Sequence, residues 1–178
     1  MRASARIAAS EDCRVYYCRP ERAGDQAAIY EVHGGAFPTA AEARLVDALR
    51  VAGQLAISIV ASDADGVVGH IAFSPVSAGG TQGLGLAPVA VRAKHRRRGV
   101  GAMLVREGLA ACGARGTGFV VVLGDPAYYG RFGFTRAADS GLGNEYGVRD
   151  EFMVLALQPD GLPPPGSVVR YSPQFAQL

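Results

Sequence analysis

A glycine loop that follows five consecutive basic residues is the first feature of this sequence that could do chemistry. An apolar stretch at 87–91 leads to Lys94-His95-Arg96-Arg97-Arg98-Gly99-Val100-Gly101, after which apolar residues recur at helical spacing. The order predicts a strand, a loop and a helix N-terminus, which together direct free backbone N–H groups and a positive helix dipole at one place. A phosphate-bearing ligand suits that place. A plain tight turn beside a solvated basic surface is the alternative interpretation.

Three phosphate-binding patterns compete for this loop. A P-loop needs Lys-Ser/Thr after its second glycine, and the sequence contains no such motif. A dinucleotide-binding fingerprint needs a glycine where Leu104 stands. The third pattern, Arg/Gln-x-x-Gly-x-Gly/Ala, matches residues 96–101.

A second group of residues lies one helix and one strand further along the chain. A short apolar strand at 119–123 is followed by Asp125-Pro126, which predicts a capped helix start. Tyr128 and Tyr129 fall on that short helix, and Gly133-Phe134 follow it.

Composition limits the function classes. The chain has 178 residues, of which 49% are hydrophobic and 19% charged, so it is long and apolar enough for one folded domain. A net charge of only +2 gives no general attraction to nucleic acid or membranes, and the basic excess is local. No apolar run approaches the ~20 residues of a membrane-spanning helix. The three cysteines lack metal-ligand spacing, which favours incidental thiols, a cytoplasmic location and no metal.

The predicted element order is β-αα-βββ-α-β-α-β-β, with the last two strands at 132–135 and 151–157, and it indicates a mixed, layered α/β domain. We place an N-terminal extension at 1–13, the domain at 14–159, and a Pro/Gly linker with a tail that packs on the domain at 160–178. Thr39 and Glu42 have the spacing of a capping box at the start of the second helix.

The loop at 96–101, followed by Tyr129 and Gly133-Phe134, resembles the GCN5-related N-acetyltransferase (GNAT) family, and within it the YhbS-like branch. The resemblance covers about residues 14–175. It implies a mixed central sheet of about six to seven strands, splayed at the acetyl-CoA site, with helices on both faces. It also implies an acetyl-CoA-dependent enzyme that acetylates a primary amine of an unidentified small molecule or peptide by direct attack in a ternary complex. A non-catalytic CoA- or acyl-CoA-binding module is the alternative.

The resemblance also assigns residue roles. Tyr129 would serve as general acid to the departing CoA thiolate. Because a tyrosine pKa is ~10 and a thiol pKa ~8.5, a hydrogen bond to the thiolate is favoured over full proton transfer. Tyr128 is then the better candidate for a core aromatic. The pantetheine arm would be bound by the backbone groups of Val89, Ala90 and Val91. The pyrophosphate would be surrounded by the residues of the loop and the helix start, namely Arg96, Arg97, Arg98, Gly99, Val100, Gly101 and Ala102.

The general base is less defined. Only about one amine in a thousand is neutral at pH 7, so a group must accept its proton. Glu31, on the first helix, is the chosen base, with His33 and His70 as alternatives. The segments expected to shape the acceptor pocket, 34–40, 78–83 and 140–150, contain no interpretable motif. No nucleic acid or membrane partner is expected, and a homodimer is left open.

Overall fold

The computed structural model describes residues 6–8 and 14–177, with side chains from residue 14 to residue 176. Cys13 and most of the predicted extension lie outside the described residues. The strands are β1 Arg6–Ala8, β2 Val15–Pro20, β3 Ile57–Asp63, β4 Gly66–Ala78, β5 Thr81–Val91, β6 Phe119–Leu123, β7 Thr135–Arg136, β8 Gly143–Asn144, β9 Phe152–Ala156 and β10 Val168–Val169. The helices are α1 Gln26–Gly34, α2 Ala41–Val51, α3 Val100–Ala114 and α4 Pro126–Tyr129.

One large mixed sheet forms the centre of the molecule. Its eight strands run in the order β1-β2-β3-β4-β5-β6-β9-β7, and β8 and β10 form a separate two-stranded sheet. Within the large sheet neighbouring strands are antiparallel except for β5 and β6, which are parallel. The strands β8 and β10 also pair in parallel. The strand β1 lies within the predicted N-terminal extension and adds one strand to the expected sheet.

Helices cover both faces of the sheet, as β3 shows. Val60 packs with Ile29 of α1 and Val46 of α2. The adjacent Ile59 belongs instead to the core cluster that contains Leu104 of α3. Because successive strand residues point to opposite faces, α1 and α2 lie on one side and α3 on the other. The predicted layered α/β fold class is confirmed.

Two local predictions were wrong. The strand expected at 132–135 begins only at Thr135, because a 3₁₀ turn at Gly130–Phe132 and the left-handed Gly133 (φ +92°) precede it. The capping box at Thr39 does not form: α2 begins at Ala41 with Ala40 as N-cap. Glu42 is therefore the second helical residue, whereas a capping box needs its acidic partner at the third. Thr39 Oγ1 accepts instead from the Ala41 N–H at 3.2 Å.

The strand β5 separates from β6 after two residue pairs, Leu84 with Val120 and Gly85 with Val121. On its other edge β5 stays paired with β4 to the end. There Ile71 faces Val89 and Phe73 faces Leu86, so two β5 residues, Ala87 and Pro88, face one β4 residue. This is a β-bulge, which bends the strand away from its neighbour. The predicted splay is present, and it opens a gap between β5 and β6.

The C-terminal segment packs against the domain. Val168 pairs with Gly143, and Ser77 of β4 forms an isolated bridge with Arg170. Further along, Phe175 is buried in a cluster with Leu45 and Leu49 of α2. The segment thus brings residues from the end of the chain to the edge of the splayed gap.

Candidate active site

Free backbone groups of β5 face the gap between β5 and β6. The Arg92 N–H donates to the Val68 carbonyl at 2.8 Å. Bonded and non-bonded pairs alternate along an antiparallel ladder. Val91 and Val89 therefore direct their N–H and C=O groups away from β4, whereas Ala90 directs its own toward β4. Of the three residues predicted to bind pantetheine, Val89 offers its N–H and C=O and Val91 offers its N–H to the gap, whereas Ala90 does not; the Val91 carbonyl accepts from Arg96 Nε.

The glycine loop ends at a helix N-terminus with free donors. Gly99 is the N-cap of α3 with φ +82°, a conformation that favours glycine. The Met103 N–H makes the first helical bond, to the Gly99 carbonyl at 2.9 Å. The N–H groups of Val100, Gly101 and Ala102 precede that bond and have no acceptor within the helix, and no side chain caps them. This arrangement suits a phosphate group.

The three arginines before the helix have different surroundings. Arg96 Nε donates to the Val91 carbonyl at 3.0 Å, and its Nη2 donates to the Ala36 carbonyl at 3.3 Å. Arg96 therefore ties the loop to β5 and to the α1–α2 connection. Arg97 is exposed and Arg98 half-buried, and neither bonds to another described residue. Those two guanidinium groups are available to an anion, whereas Arg96 supports the loop.

The histidine within the basic run is not part of a solvated surface. His95 is 2% exposed, and its Nδ1 lies 3.0 Å from Tyr16 Oη and 3.7 Å from Asp63 Oδ2. Burial lowers the pKa of His95, against the opposing influence of the Asp63 carboxylate. His95 thus anchors the loop to β2 and β3, a role the sequence did not indicate.

The short helix α4 positions Tyr129. Its N-cap is Asp125, whose side chain accepts from the Ala127 N–H at 2.9 Å, as predicted. The Tyr129 ring is 7% exposed and packs edge-on against Phe134 at 5.7 Å between centroids. A Cβ at Gly124 would lie 2.9 Å from Tyr129 Cδ2, so the absence of a side chain at 124 makes room for this ring.

Of the two adjacent tyrosines, Tyr129 is the more buried, whereas the sequence predicted that Tyr128 would be. Tyr128 was expected to be the core aromatic, yet it is half-buried and stacks under the Arg131 guanidinium at 4.4 Å. Tyr129 is the buried one because α4 turns it inward, toward Phe134. Burial, with a smaller effect from Tyr128, raises the pKa of Tyr129 to about 12. Tyr129 is therefore a neutral hydrogen-bond donor throughout the physiological range.

A cavity of about 430 Å³ lies at the splay. Residues of β5, β6 and α4 form one part of its lining, namely Leu86, Ala87, Pro88, Val89, Leu123 and Tyr129. Residues of the α1–α2 connection, α2, the β8–β9 loop and the C-terminal segment form the other part, namely Phe37, Glu42, Leu45, Tyr146, Tyr171 and Phe175. The cavity thus joins the open edge of β5 and Tyr129 to a second, largely aromatic wall.

The predicted base Glu31 does not line this cavity. Its carboxylate is exposed and pairs with Arg92 Nη2 at 2.9 Å, and it borders a separate surface depression with Tyr30 and Asp47. The geometry therefore gives no support to Glu31 as the base, because its carboxylate lies outside the cavity lining and pairs with Arg92.

His33 and His70 lie in a buried polar chain rather than on the cavity wall. His33 Nε2 is 2.8 Å from His70 Nδ1, and His70 Nε2 is 2.8 Å from Ser58 Oγ. Ser58 donates to Glu21, which also pairs with Arg50 at 2.8 Å. Burial lowers the pKa of His33 to about 4 and holds the pKa of His70 well below its usual range. Both imidazoles are neutral near pH 7.

The acceptor side of the cavity was only partly anticipated. Phe37 and Tyr146 come from two of the three segments expected to shape it, whereas no residue of 78–83 lines it. Tyr171 and Phe175 were missed because the tail has no pattern that shows where it packs. Glu42 was missed because its spacing from Thr39 was explained as a capping box.

Two further expectations concern cysteines and membranes. Cys18 and Cys112 are buried free thiols, and burial raises the pKa of each to about 12, which agrees with incidental thiols. Among the helices of the described chain, none has the length and apolar character needed to span a bilayer.

Comparison with known proteins gives the same family throughout. The family model of the GNAT acetyltransferase domain matches residues 54–136. The N-acetyltransferase YhbS of Escherichia coli strain K12 is 43% identical over 143 residues, which cover 78% of this chain and 86% of the relative.

Two solved structures similar to this chain are also GNAT-family acetyltransferases. The crystal structure of E. coli YhbS in complex with CoA superposes with a TM-score of 0.85 and 34% identity, over 100% of this chain and 96% of that one. A GNAT acetyltransferase from Brucella melitensis in complex with acetyl-CoA gives a TM-score of 0.76 and 38% identity, over 90% and 97% of the two chains. With this degree of identity over most of its length, the chain belongs to the GNAT family of N-acetyltransferases and is an acyltransferase enzyme.

Proposed function

We propose that this enzyme transfers the acetyl group of acetyl-CoA to a primary amine by direct attack in a ternary complex. The observation that carries the proposal is the position of the splayed edge of β5: at one end the α3 N-terminus approaches it, with the Cβ position of Gly101 3.8 Å from Val91 Cγ2, and at the other end Val89 and Tyr129 line the cavity. The related structures with CoA and acetyl-CoA support this choice of donor. Action in the cytoplasm stays a prediction from the sequence.

The donor would lie along residues that are already free to bind it. Val89 and Val91 hydrogen-bond the pantetheine arm through their backbone groups. The N–H groups at the start of α3, with Arg97 and Arg98, bind the pyrophosphate. The β5 backbone also polarises the thioester carbonyl by donating to its oxygen.

Tyr129 would stabilise the thiolate as the carbon–sulfur bond breaks. With a pKa of about 12, its phenol is a weaker acid than an ordinary tyrosine, and proton transfer to a thiolate of pKa ~8.5 is uphill by about 5 kcal/mol. Tyr129 therefore acts by donating a hydrogen bond to the sulfur, and the thiol acquires its proton from solvent.

The glycines of the loop provide a test of the pyrophosphate site. A Cβ at Gly101 would lie 3.0 Å from Tyr128 Oη and 3.8 Å from Val91 Cγ2, so Gly101→Val crowds the space in front of the free N–H groups. We expect the Kd for CoA to rise about 10-fold or more, equivalent to ~1.4 kcal/mol. Titration calorimetry measures this. Gly113→Val, in the same helix with nothing near its Cβ position, is the matched control and should bind CoA normally. Equal affinities for the two variants would remove the pyrophosphate from this loop.

Release of thiol from acetyl-CoA tests the reaction itself. Spectrophotometric thiol detection should show a slow background that increases at least ~10-fold when a panel of primary amines is added, with N-acetylated product seen by mass spectrometry. The rate should rise with pH between 7 and 9, because the neutral fraction of an amine of pKa ~10 rises tenfold per unit. CoA binding without thiol release from any amine would instead support a non-catalytic acyl-CoA-binding module.

A further inference from the structure

One carboxylate and several aromatic rings form the wall of the cavity opposite β5. Tyr171 lies between two rings, with centroids 5.5 Å from Tyr146 and 5.2 Å from Phe175. Glu42 is the single charged side chain among the described residues that line the cavity. The wall is therefore aromatic with one negative charge.

The Glu42 carboxylate has no hydrogen-bond or ion-pair partner among the described residues. Its Oε2 atom is fully buried and has no hydrogen-bond partner within residues 14–177. The structure gives it no hydrogen bond to the α2 N-terminus, where the sequence had placed it. A buried carboxylate oxygen without a hydrogen bond is costly, so this position favours a hydrogen-bond donor from outside the chain, such as an ammonium group.

The neighbouring Tyr171 has a second unused polar atom. Its hydroxyl is buried without a hydrogen-bond partner in the described part of the chain, and burial raises the pKa of the phenol, which stays neutral. The residue is firmly placed: its N–H donates to Glu145 Oε1 at 2.8 Å, and its ring lies over Gly85. A phenol oxygen can accept an N–H hydrogen bond.

We propose that this wall recognises an acceptor whose ammonium group is carried on an aromatic or other apolar body. Glu42 pairs with the ammonium, and the row of Tyr146, Tyr171 and Phe175 receives the apolar body and the cation through ring contacts. Among the described residues that line the cavity there is no cationic side chain for a substrate carboxylate, which disfavours free amino acids. Its largely apolar lining disfavours polyhydroxylated amino sugars. This inference rests on the proposed acetyl transfer and names the substrate class.

Binding of a cation that cannot be acetylated tests the site without relying on turnover. The probe is the quaternary (2-phenylethyl)trimethylammonium ion, and 2-phenylethanol is the uncharged comparison, each titrated calorimetrically into the CoA-loaded protein. We expect the cation to bind at least 10-fold more tightly than the alcohol. Glu42→Gln, which keeps the size of the side chain, should remove that preference. Glu151→Gln, an exposed residue outside the cavity lining, should not.

A second variant allows the test to be made even if the Glu42→Gln protein does not fold. Tyr146→Leu alters a residue that is 45% exposed, and should weaken cation binding several-fold while CoA binding is unchanged. Equal binding of the cation and the alcohol, or an undiminished preference in Glu42→Gln, would overturn the inference.

Thiol release separates this inference from the proposed function. If 2-phenylethylamine is acetylated with a kcat/KM at least 10-fold above that of glucosamine, and Glu42→Gln removes the difference through KM, both proposals are supported. If both amines react equally well and independently of Glu42, transfer stands and the inference fails. If the quaternary cation binds in a Glu42-dependent manner but no amine is acetylated, the proposed transfer fails and the cation site stands.

Discussion

Replacing Tyr129 by phenylalanine is expected to lower kcat by about 100-fold or more while the KM for acetyl-CoA stays within about threefold. The loss corresponds to roughly 3 kcal/mol of transition-state stabilisation, in the range measured for a single positioned proton or hydrogen-bond donor. The KM is spared because Tyr129 meets the sulfur only as negative charge develops on it. The variant should fold, since the ring contact with Phe134 needs no hydroxyl.

Steady-state kinetics with a saturating amine checks this prediction. Tyr17→Phe, an exposed tyrosine on β2 outside the cavity lining, is the matched control and should leave kcat unchanged. The wild-type rate should also show no decline from tyrosine ionisation up to about pH 11, because the pKa of Tyr129 is raised to about 12. A Tyr129→Phe enzyme with wild-type turnover would exclude Tyr129 from the chemistry.

The second large effect concerns stability and pH. His33 is fully buried, and its pKa falls to about 4 in the folded protein from an ordinary value of ~6.5. Between these values the unfolded chain binds a proton that the folded chain does not, so stability is lost as pH falls from about 6.5 toward 4. From pH 7.5 to pH 5 the loss from His33 alone is about 2 kcal/mol. The lowered pKa values of His70 and His95 act in the same direction.

Urea unfolding at a series of pH values measures the effect. His33→Gln keeps a hydrogen-bonding group beside His70 but cannot take up the proton, so its loss between pH 7.5 and 5 should be smaller by about 2 kcal/mol. Asp25 does not interfere in this range. Its bond with Arg19 lowers its pKa to about 2, so its contribution is lost only below about pH 4. An unchanged pH dependence in a folded His33→Gln protein would contradict the assignment.

Local order in the chain was enough to predict the donor side of the site. The strand, the glycine loop and the helix start are contiguous, so the spacing of residues 87–104 predicts a phosphate-binding loop without knowledge of the fold. The left-handed Gly99 and the free N–H groups behind it follow from backbone geometry that a glycine at that position allows. Tyr129 was predicted in the same way, from its place between a short strand and Gly133-Phe134.

The splay follows from register rather than from composition. That Ala87 and Pro88 together face one residue of β4 depends on how two strands align. The same alignment decides that the backbone groups of Ala90 point toward β4 while the N–H groups of Val89 and Val91 point away from it. Periodicity predicts a strand, but it cannot show which edge of the strand is paired.

The acceptor side was decided by tertiary structure alone. Glu42 precedes both Tyr146 and Tyr171 by about a hundred residues or more in the chain. The three side chains meet because the C-terminal segment packs on α2 and beside β4. Nothing local in the chain records that contact. The spacing of Thr39 and Glu42 wrongly predicted a capping box. The N-cap of α2 is Ala40 rather than Thr39, so the Glu42 carboxylate does not cap the helix. The sequence by itself therefore determined the family, and it predicted the donor and the group proposed to meet the sulfur. Only the packing of distant segments decided which side chains line the cavity opposite β5.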